Sequence, residues 1–218
     1  MNSKKTTVVA LLAFVVLCFV FGMYAFQQRV QKSQMEKVRQ TQEALVRQHS
    51  PIFGNKDAPV TIVEFFDPAC ETCRAFYPIV KSIMGKYPGQ VRLVMRYAPF
   101  HQGSDEVVRL LEAAKKQNIY WRVLEAVLAA QPDWAEHGKP NLDVAFVAAE
   151  KAGLDLTRAK TDAQHAEVTA VLTQDVQDLT TLEVTKTPTF FVNGQGLTTF
   201  GAEQLAALVA QEVAKVQK

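Results

Sequence analysis

Residues 60–73 read VTIVEFFDPACETC, and this stretch decides the fold. Val60 to Phe66 is a β-branched and aromatic run with the composition of a buried strand. Asp67-Pro68-Ala69 breaks it, and a helical segment is expected from about Cys70 to Lys86. Cys70 and Cys73 therefore fall at a strand-to-helix junction, where two thiols at this spacing can close a small disulfide ring with little backbone movement. The helix N-terminus sets amide donors and partial positive charge beside Cys70, which favours its thiolate. Such thiols have pKa values of about 3.5 to 7.5, against about 8.5 for a free cysteine, and the thiolate attacks disulfides or leaves readily from mixed ones.

Downstream, Val91 to Tyr97 reads as a second strand. From Ser104 to about Leu182 the chain is a series of amphipathic helices, with turn signals at Gln131-Pro132-Asp133 and Gly138-Lys139-Pro140. Thr189 to Val192 is again strand-like. A turn at Asn193-Gly194-Gln195-Gly196, a return strand at Leu197 to Phe200 and a closing helix from Ala202 to about Val216 complete the pattern. A block of about 80 residues is too long for a loop and reads as a helical subdomain inserted into an α/β fold.

Upstream, Lys4 and Lys5 precede an uncharged run over residues 6–28, about 34 Å as a helix, which is long enough for a hydrocarbon core of about 30 Å. The alternative, a cleaved signal peptide, has a shorter apolar stretch and small residues at its end. The run is thus expected to be an uncleaved transmembrane signal anchor following a cytoplasmic tail of residues 1–5, with Cys18 a buried apolar cysteine. Residues 29–50 read as a solvated helical spacer that ends at His49-Ser50-Pro51.

Composition narrows the function. The 218 residues carry 24 basic and 22 acidic side chains, which argues against a nucleic-acid partner. A zinc site lacks a second cysteine pair, and His49, His101, His137 and His165 show no ligand-like spacing, so no metal site is expected. A structural disulfide between Cys70 and Cys73 would staple only four residues and constrain little of the unfolded chain. Redox chemistry leads.

The segment from Ile52 to Cys73, and a second one reading VTKTPTFFVNG over residues 184–194, resemble the two signatures of DsbA-like (DsbA/BdbD-type) thiol:disulfide oxidoreductases. The resemblance implies a thioredoxin fold with an inserted helical domain: residues 51–100 and 183–218 as its two parts, and 101–182 as the insertion. It further implies that Cys70 is the exposed nucleophile and Cys73 the buried resolving thiol. Pro188 is then cis and faces the cysteines, leaving backbone free to pair with substrate, and Thr187 sits near the sulfurs. Glu64 matches the buried acid that assists proton transfer at Cys73, and Pro78 the kink position of the active-site helix. Pro188 as a trans edge-strand proline, Glu64 as a surface acid and Pro78 as a helix end are the bland alternatives. Arg92 and Arg96 are expected to be solvated or paired elsewhere rather than to neutralise Glu64.

The dipeptide between the cysteines, Glu71-Thr72, departs from the Pro-His of strongly oxidising members. An ionised Glu71 opposes a Cys70 thiolate, which predicts a weaker oxidant. The expectation is a disulfide exchanger of protein substrates on the extracytoplasmic face of a bacterial inner membrane, its domain in the periplasm or its equivalent. It needs no cofactor beyond its own dithiol, and a redox partner in the membrane resets it after each turnover. A reductase or isomerase fed by a membrane electron donor, and a Cu(I)-binding protein of the same fold, are the alternatives; soft thiolates suit Cu(I).

Overall fold

The structure, a computed structural model, describes residues 3–216, with the side chains of residues 3–16 and Cys18 outside the described set. The chain forms two compact units, Met1–Glu43 and Ala44–Lys218.

The first unit is most of helix α1, Ser3–Leu45. The anchor expected over residues 6–28 and the placement of Cys18 rest largely on side chains outside the described residues. Among the described residues, no helix is long and apolar enough to cross a membrane. The helix runs through residues 28 and 29 without a break and ends at Leu45, earlier than the expected His49-Ser50-Pro51. A turn takes over there, with the Ser50 N–H donating to Arg47 O and the Arg47 N–H to Ser50 Oγ.

The second unit is built on a five-stranded sheet. In chain order it contains β1 (Ile52–Phe53), β2 (Val60–Phe66), α2 (Glu71–Gly85), β3 (Val91–Tyr97), α3 (Ser104–Lys116) and α4 (Tyr120–Ala129). Then follow α5 (Gln131–Trp134), α6 (Leu142–Lys151), α7 (Leu156–Asp162), α8 (Ala166–Thr181), β4 (Thr189–Val192), β5 (Gln195–Gly196) and α9 (Ala202–Val216). The sheet order is β1-β3-β2-β4-β5, with β2 and β3 parallel and the other pairs antiparallel. β2 and β3 are covered on both faces, which is why their sequences are almost continuously apolar instead of alternating.

One face of the sheet, carrying Ile62, Phe66, Met95 and Phe190, packs into a core shared with α2, α9 and the inserted helices through Val107, Leu111, Leu124 and Trp134. The opposite face, Val63, Phe65 and Val94, packs on Leu45, Leu179 and Val184. The helices from Ser104 to Thr181 thus share one hydrophobic core with the sheet.

Three local readings are corrected. Gln131-Pro132-Asp133 is not a turn but part of α5, because a proline in the first turn of a helix forfeits only an N–H that has no partner there. The hairpin turn is Asn193-Gly194 alone, both at positive φ (46° and 84°), so the return strand is Gln195–Gly196 and not Leu197 to Phe200. Phe200 leaves the sheet edge to put its ring 4.7 Å from that of Phe76. β1, which no local pattern announces, pairs with β3 at Ile52↔Val94.

Arg96 is fully buried in β3, and three carbonyl or carboxylate partners satisfy it. Its guanidinium donates to Asp175 Oδ1 (2.8 Å) and Asp178 Oδ2 (2.7 Å) of α8 and to Ala44 O, while the Tyr97 N–H donates to Asp175 Oδ2. Arg92 instead donates to Thr61 Oγ1 and Lys56 O. Neither arginine is bonded to Glu64.

Candidate active site

β2 delivers the chain to the site, and the Asp67-Pro68-Ala69 turn shapes it. Cys70 is the N-cap of α2 with extended backbone (φ −75°, ψ 118°), and its side chain caps no backbone N–H. The first N–H groups of a helix lack intrahelical partners, so those of Thr72 and Cys73 are available to the Cys70 sulfur. As a thiol, Cys70 Sγ donates to Thr187 O across 3.5 Å. Cys73 lies one turn inward, fully buried, and its sulfur accepts the Asp67 N–H at 3.5 Å. Both are free thiols.

These surroundings separate the two thiols. The Cys70 pKa is lowered to about 5, first by the hydrogen bond from Cys73 and, against the opposing effect of burial, by Thr187 and the backbone N–H groups of Cys73 and Thr72. Cys73 is pushed far above its ordinary value by burial, then by Cys70 and the charge of Glu64. Cys70 is therefore the sulfur that ionises at neutral pH. Thr187 precedes Pro188 across a cis peptide bond and is half-buried, with Pro188 buried beside it.

Glu64 lies mid-strand in β2, paired with Met95 on one side and Phe190 on the other. Side chains alternate along a strand, so it faces the same way as Ile62 and Phe66, toward the core that holds Cys73. It is fully buried, and neither carboxylate oxygen has a hydrogen-bond partner. Burial first, and the Cys70 charge second, push its pKa up to about 8. At neutral pH it is mostly a neutral acid, able to give a proton to a leaving thiolate in this core or take one back. Thr72 is exposed and contributes through its backbone, and α2 continues unbroken through Pro78. Glu71 is exposed, with Oε1 lying 3.5 Å from His137 Nδ1.

Three residues of the site escape a local reading. Asp67, fully buried, is a hub: its oxygens accept from the N–H groups of Ala69, Phe100 and His101, from the Ser104 hydroxyl and from His101 Nδ1 (2.7 Å). Gln131 of α5 donates to Pro68 O (2.7 Å) and Cys70 O (3.0 Å) and accepts from Arg74 Nε. His101 joins Asp67 and sets its ring edge-on to His137, centroids 5.7 Å apart. The signal for Asp67 and His101 is the acid in the strand-breaking turn, whose partners come mostly from the segment that opens the helical block; Gln131 carries no local signal. Among the described residues, no group of three or more His, Cys, Asp or Glu side chains is arranged to hold a metal.

Comparison with known proteins agrees with this geometry. The family model described as thioredoxin matches residues 47–211. A thioredoxin-like oxidoreductase from Silicibacter pomeroyi is 30% identical, with a TM-score of 0.67 over 80% of this chain and 96% of its own. The fold is shared by oxidised BdbD of Bacillus subtilis (22% identity, TM-score 0.68, 76% of this chain and 94% of its own). It is also shared by α-DsbA1 of Wolbachia pipientis (16% identity, TM-score 0.71, 82% and 98%). Among curated sequences, the Na(+)/H(+) antiporter NhaA 3 of Salinispora tropica is 32% identical over 145 residues, which is 65% of this chain. The chain spans only about a fifth (21%) of that relative's length.

Proposed function

The chain belongs to the thioredoxin family, and from that premise we propose that it is a thiol:disulfide oxidoreductase which passes disulfides to protein substrates. In the oxidised protein, a substrate thiolate attacks Cys70 Sγ. The Cys70–Cys73 bond breaks, a mixed disulfide forms, and Cys73 leaves as a thiolate that takes a proton from neutral Glu64. A second substrate thiolate then attacks the substrate sulfur of the mixed disulfide and expels Cys70 as a thiolate. Two electrons have passed from substrate to protein, leaving a substrate disulfide and the Cys70–Cys73 dithiol. Thr187 and Pro188 border Cys70 and offer the backbone against which an extended substrate lies.

The observation that carries this reading is the separation of the two sulfurs: Cys70 lowered to about 5 at a helix N-terminus, Cys73 buried and raised behind it. A low-pKa thiol is the better leaving group and stabilises the reduced protein, which supports the oxidising direction over reduction of substrates. Such chemistry belongs to an oxidising compartment. The uncharged run over residues 6–28 and the exposed apolar side chains of Leu17, Phe19, Phe21 and Phe26 support a membrane anchor with the catalytic unit on the extracytoplasmic side. Each turnover leaves a dithiol, so the protein needs an electron acceptor, for which a redox partner in the same membrane is the natural choice. No resident cofactor enters the cycle.

The test is the reduction potential of the full-length chain equilibrated against glutathione. A value in the range of about −120 to −180 mV is expected; one near −270 mV would reverse the assigned direction and make it a reductase.

A further inference from the structure

Two acids bracket Cys70, and neither side chain of the Glu71-Thr72 dipeptide carries a charge that offsets them. Glu71 follows Cys70 directly; Asp67 precedes it by three residues and is buried with both oxygens engaged. A negative charge on either opposes a thiolate between them. Against them the helical block brings two imidazoles. His101 Nδ1 lies 2.7 Å from Asp67 Oδ2, and the His101 backbone N–H donates to the same oxygen at 2.9 Å. The His101 ring meets that of His137 at 5.7 Å, and His137 Nδ1 approaches Glu71 Oε1 at 3.5 Å. The chain Asp67–His101–His137–Glu71 therefore links the acid three residues before Cys70, whose backbone O accepts the Cys70 N–H at 3.1 Å, to the acid directly after it. The His101 side chain is 31% exposed, so its second nitrogen can exchange protons with solvent.

The geometry points to His101 as a positioning residue that holds a positive charge beside the Cys70 thiolate from outside the Cys-x-x-Cys turn. In this arrangement a residue of the inserted segment adds its charge to the hydrogen bonds from Cys73, Thr187 and the α2 backbone that set the reactivity of the nucleophile. The inference deepens the disulfide-exchange reading and rests on it. The groups that face His101 are Asp67, Cys70, Glu71 and His137. Burial works against its charge, but Asp67, Cys70 and Glu71 raise its pKa in spite of that. An imidazolium paired with Asp67 removes one of the two acids from the account. The other, Glu71, is exposed and has His137 Nδ1 3.5 Å from its Oε1.

The experiment compares the full-length chain with His101→Asn and His101→Lys. Asn keeps an N–H for Asp67 without a charge; Lys keeps the charge. The readouts are the rate of Cys70 alkylation by iodoacetamide between pH 3 and 9 and the equilibrium with glutathione. In His101→Asn the Cys70 titration moves up by about one unit, so that alkylation slows about fivefold at pH 5 and is unchanged at pH 9. Its dithiol form is disfavoured about tenfold, equivalent to about 30 mV for a two-electron couple. His101→Lys recovers most of the pH 5 rate.

Three results would overturn the inference: an Asn variant that titrates like the parent, Asn and Lys variants that shift alike, or a rate lost equally at pH 5 and pH 9, which is what a purely structural role produces. A parent chain that alkylates at pH 5 yet never equilibrates with glutathione would sink the exchange reading instead, while the alkylation series still decides the role of His101.

Discussion

Replacing Glu64 by Leu should stabilise the protein, and by more as the pH rises. The carboxyl is fully buried, its oxygens have no partners, and its pKa is raised from 4.5 to about 8. Removing it orphans no donor, so the penalty for leaving a buried group unpaired does not arise. Between pH 4.5 and 8 the folded protein holds a proton on Glu64 that the unfolded chain has released. Stability from this group is thus complete below pH 4.5 and is lost as the pH climbs to 8. At 1.36 kcal/mol per unit, the raised pKa costs about 1 kcal/mol at pH 5 and about 4 kcal/mol at pH 8.

The stabilisation by Glu64→Leu should therefore grow by about 3 kcal/mol between those two pH values. Urea unfolding followed by tryptophan fluorescence measures it, since both tryptophans, Trp121 and Trp134, lie in the same unit as Glu64. Taking the difference between variant and parent at each pH cancels the titrating groups that do not interact with Glu64, which leaves Cys70 and Cys73 as the ones coupled to it. The reduced protein should show the larger growth, because the Cys70 charge adds to the shift and vanishes in the disulfide. A growth below about 1 kcal/mol in the reduced protein would mean that Glu64 is hydrated or already ionised, and its role as proton donor would fall with it.

Further expectations follow from other contacts. Arg96→Met removes the buried guanidinium shared by Asp175 and Asp178, leaving them only the partly exposed His49 and Arg47 as charge partners, and should cost about 3–5 kcal/mol by urea unfolding, whereas a cost under 1 kcal/mol would show the pair to be solvated. Asp175 and Asp178 resist protonation: burial opposes their charge, but His49, Arg47 and Arg96 hold their pKa values below 3.8, so the stability they contribute is present above that value and lost on acidification beneath it. An acid titration of the parent should show that loss, and in Asp175→Asn/Asp178→Asn it should disappear. Gln131→Leu removes the side-chain partner of Arg74 Nε and Pro68 O and one of the two donors to Cys70 O, and should cost about 1–3 kcal/mol, with a change in the pH dependence of Cys70 alkylation. Asn193→Ala removes the acceptor of the Thr61 N–H (2.9 Å) and a φ of 46° that asparagine tolerates, which should cost about 1–2 kcal/mol of thermal or urea stability.

What the sequence disclosed was local. β2 follows from its β-branched and aromatic composition, β3 from its own apolar run and α2 from the break at Asp67-Pro68-Ala69, and the cysteine pair from its place at the β2–α2 junction. What it withheld depended on distant partners. Arg96 reads as solvated or paired elsewhere with no partner named, because the acids that neutralise it lie 79 and 82 positions away. Gln131 in a Gln-Pro-Asp context reads as a turn, since the carbonyls it binds are 61 and 63 residues upstream. The effect of Glu71 on Cys70 was judged from adjacency, whereas its neighbour in space, His137, comes from beyond α5. The hairpin was placed by its Asn-Gly pair, but its length was misjudged because Phe200 goes to an aromatic cluster with Phe76 and Phe190 instead of extending the sheet.

The donors that satisfy Asp67 impose an order on the birth of the active site. The turn that presents Cys70 needs the backbone of Phe100 and His101 and the hydroxyl of Ser104, 33 to 37 residues further along. A chain emerging from its N-terminus exposes both cysteines well before it can supply those groups. Until the end of β3 and the start of α3 arrive, Asp67 lacks the Phe100, His101 and Ser104 donors that satisfy it in the core. The turn that carries Cys70 is thus completed only when the segment from Phe100 to Ser104 is in place.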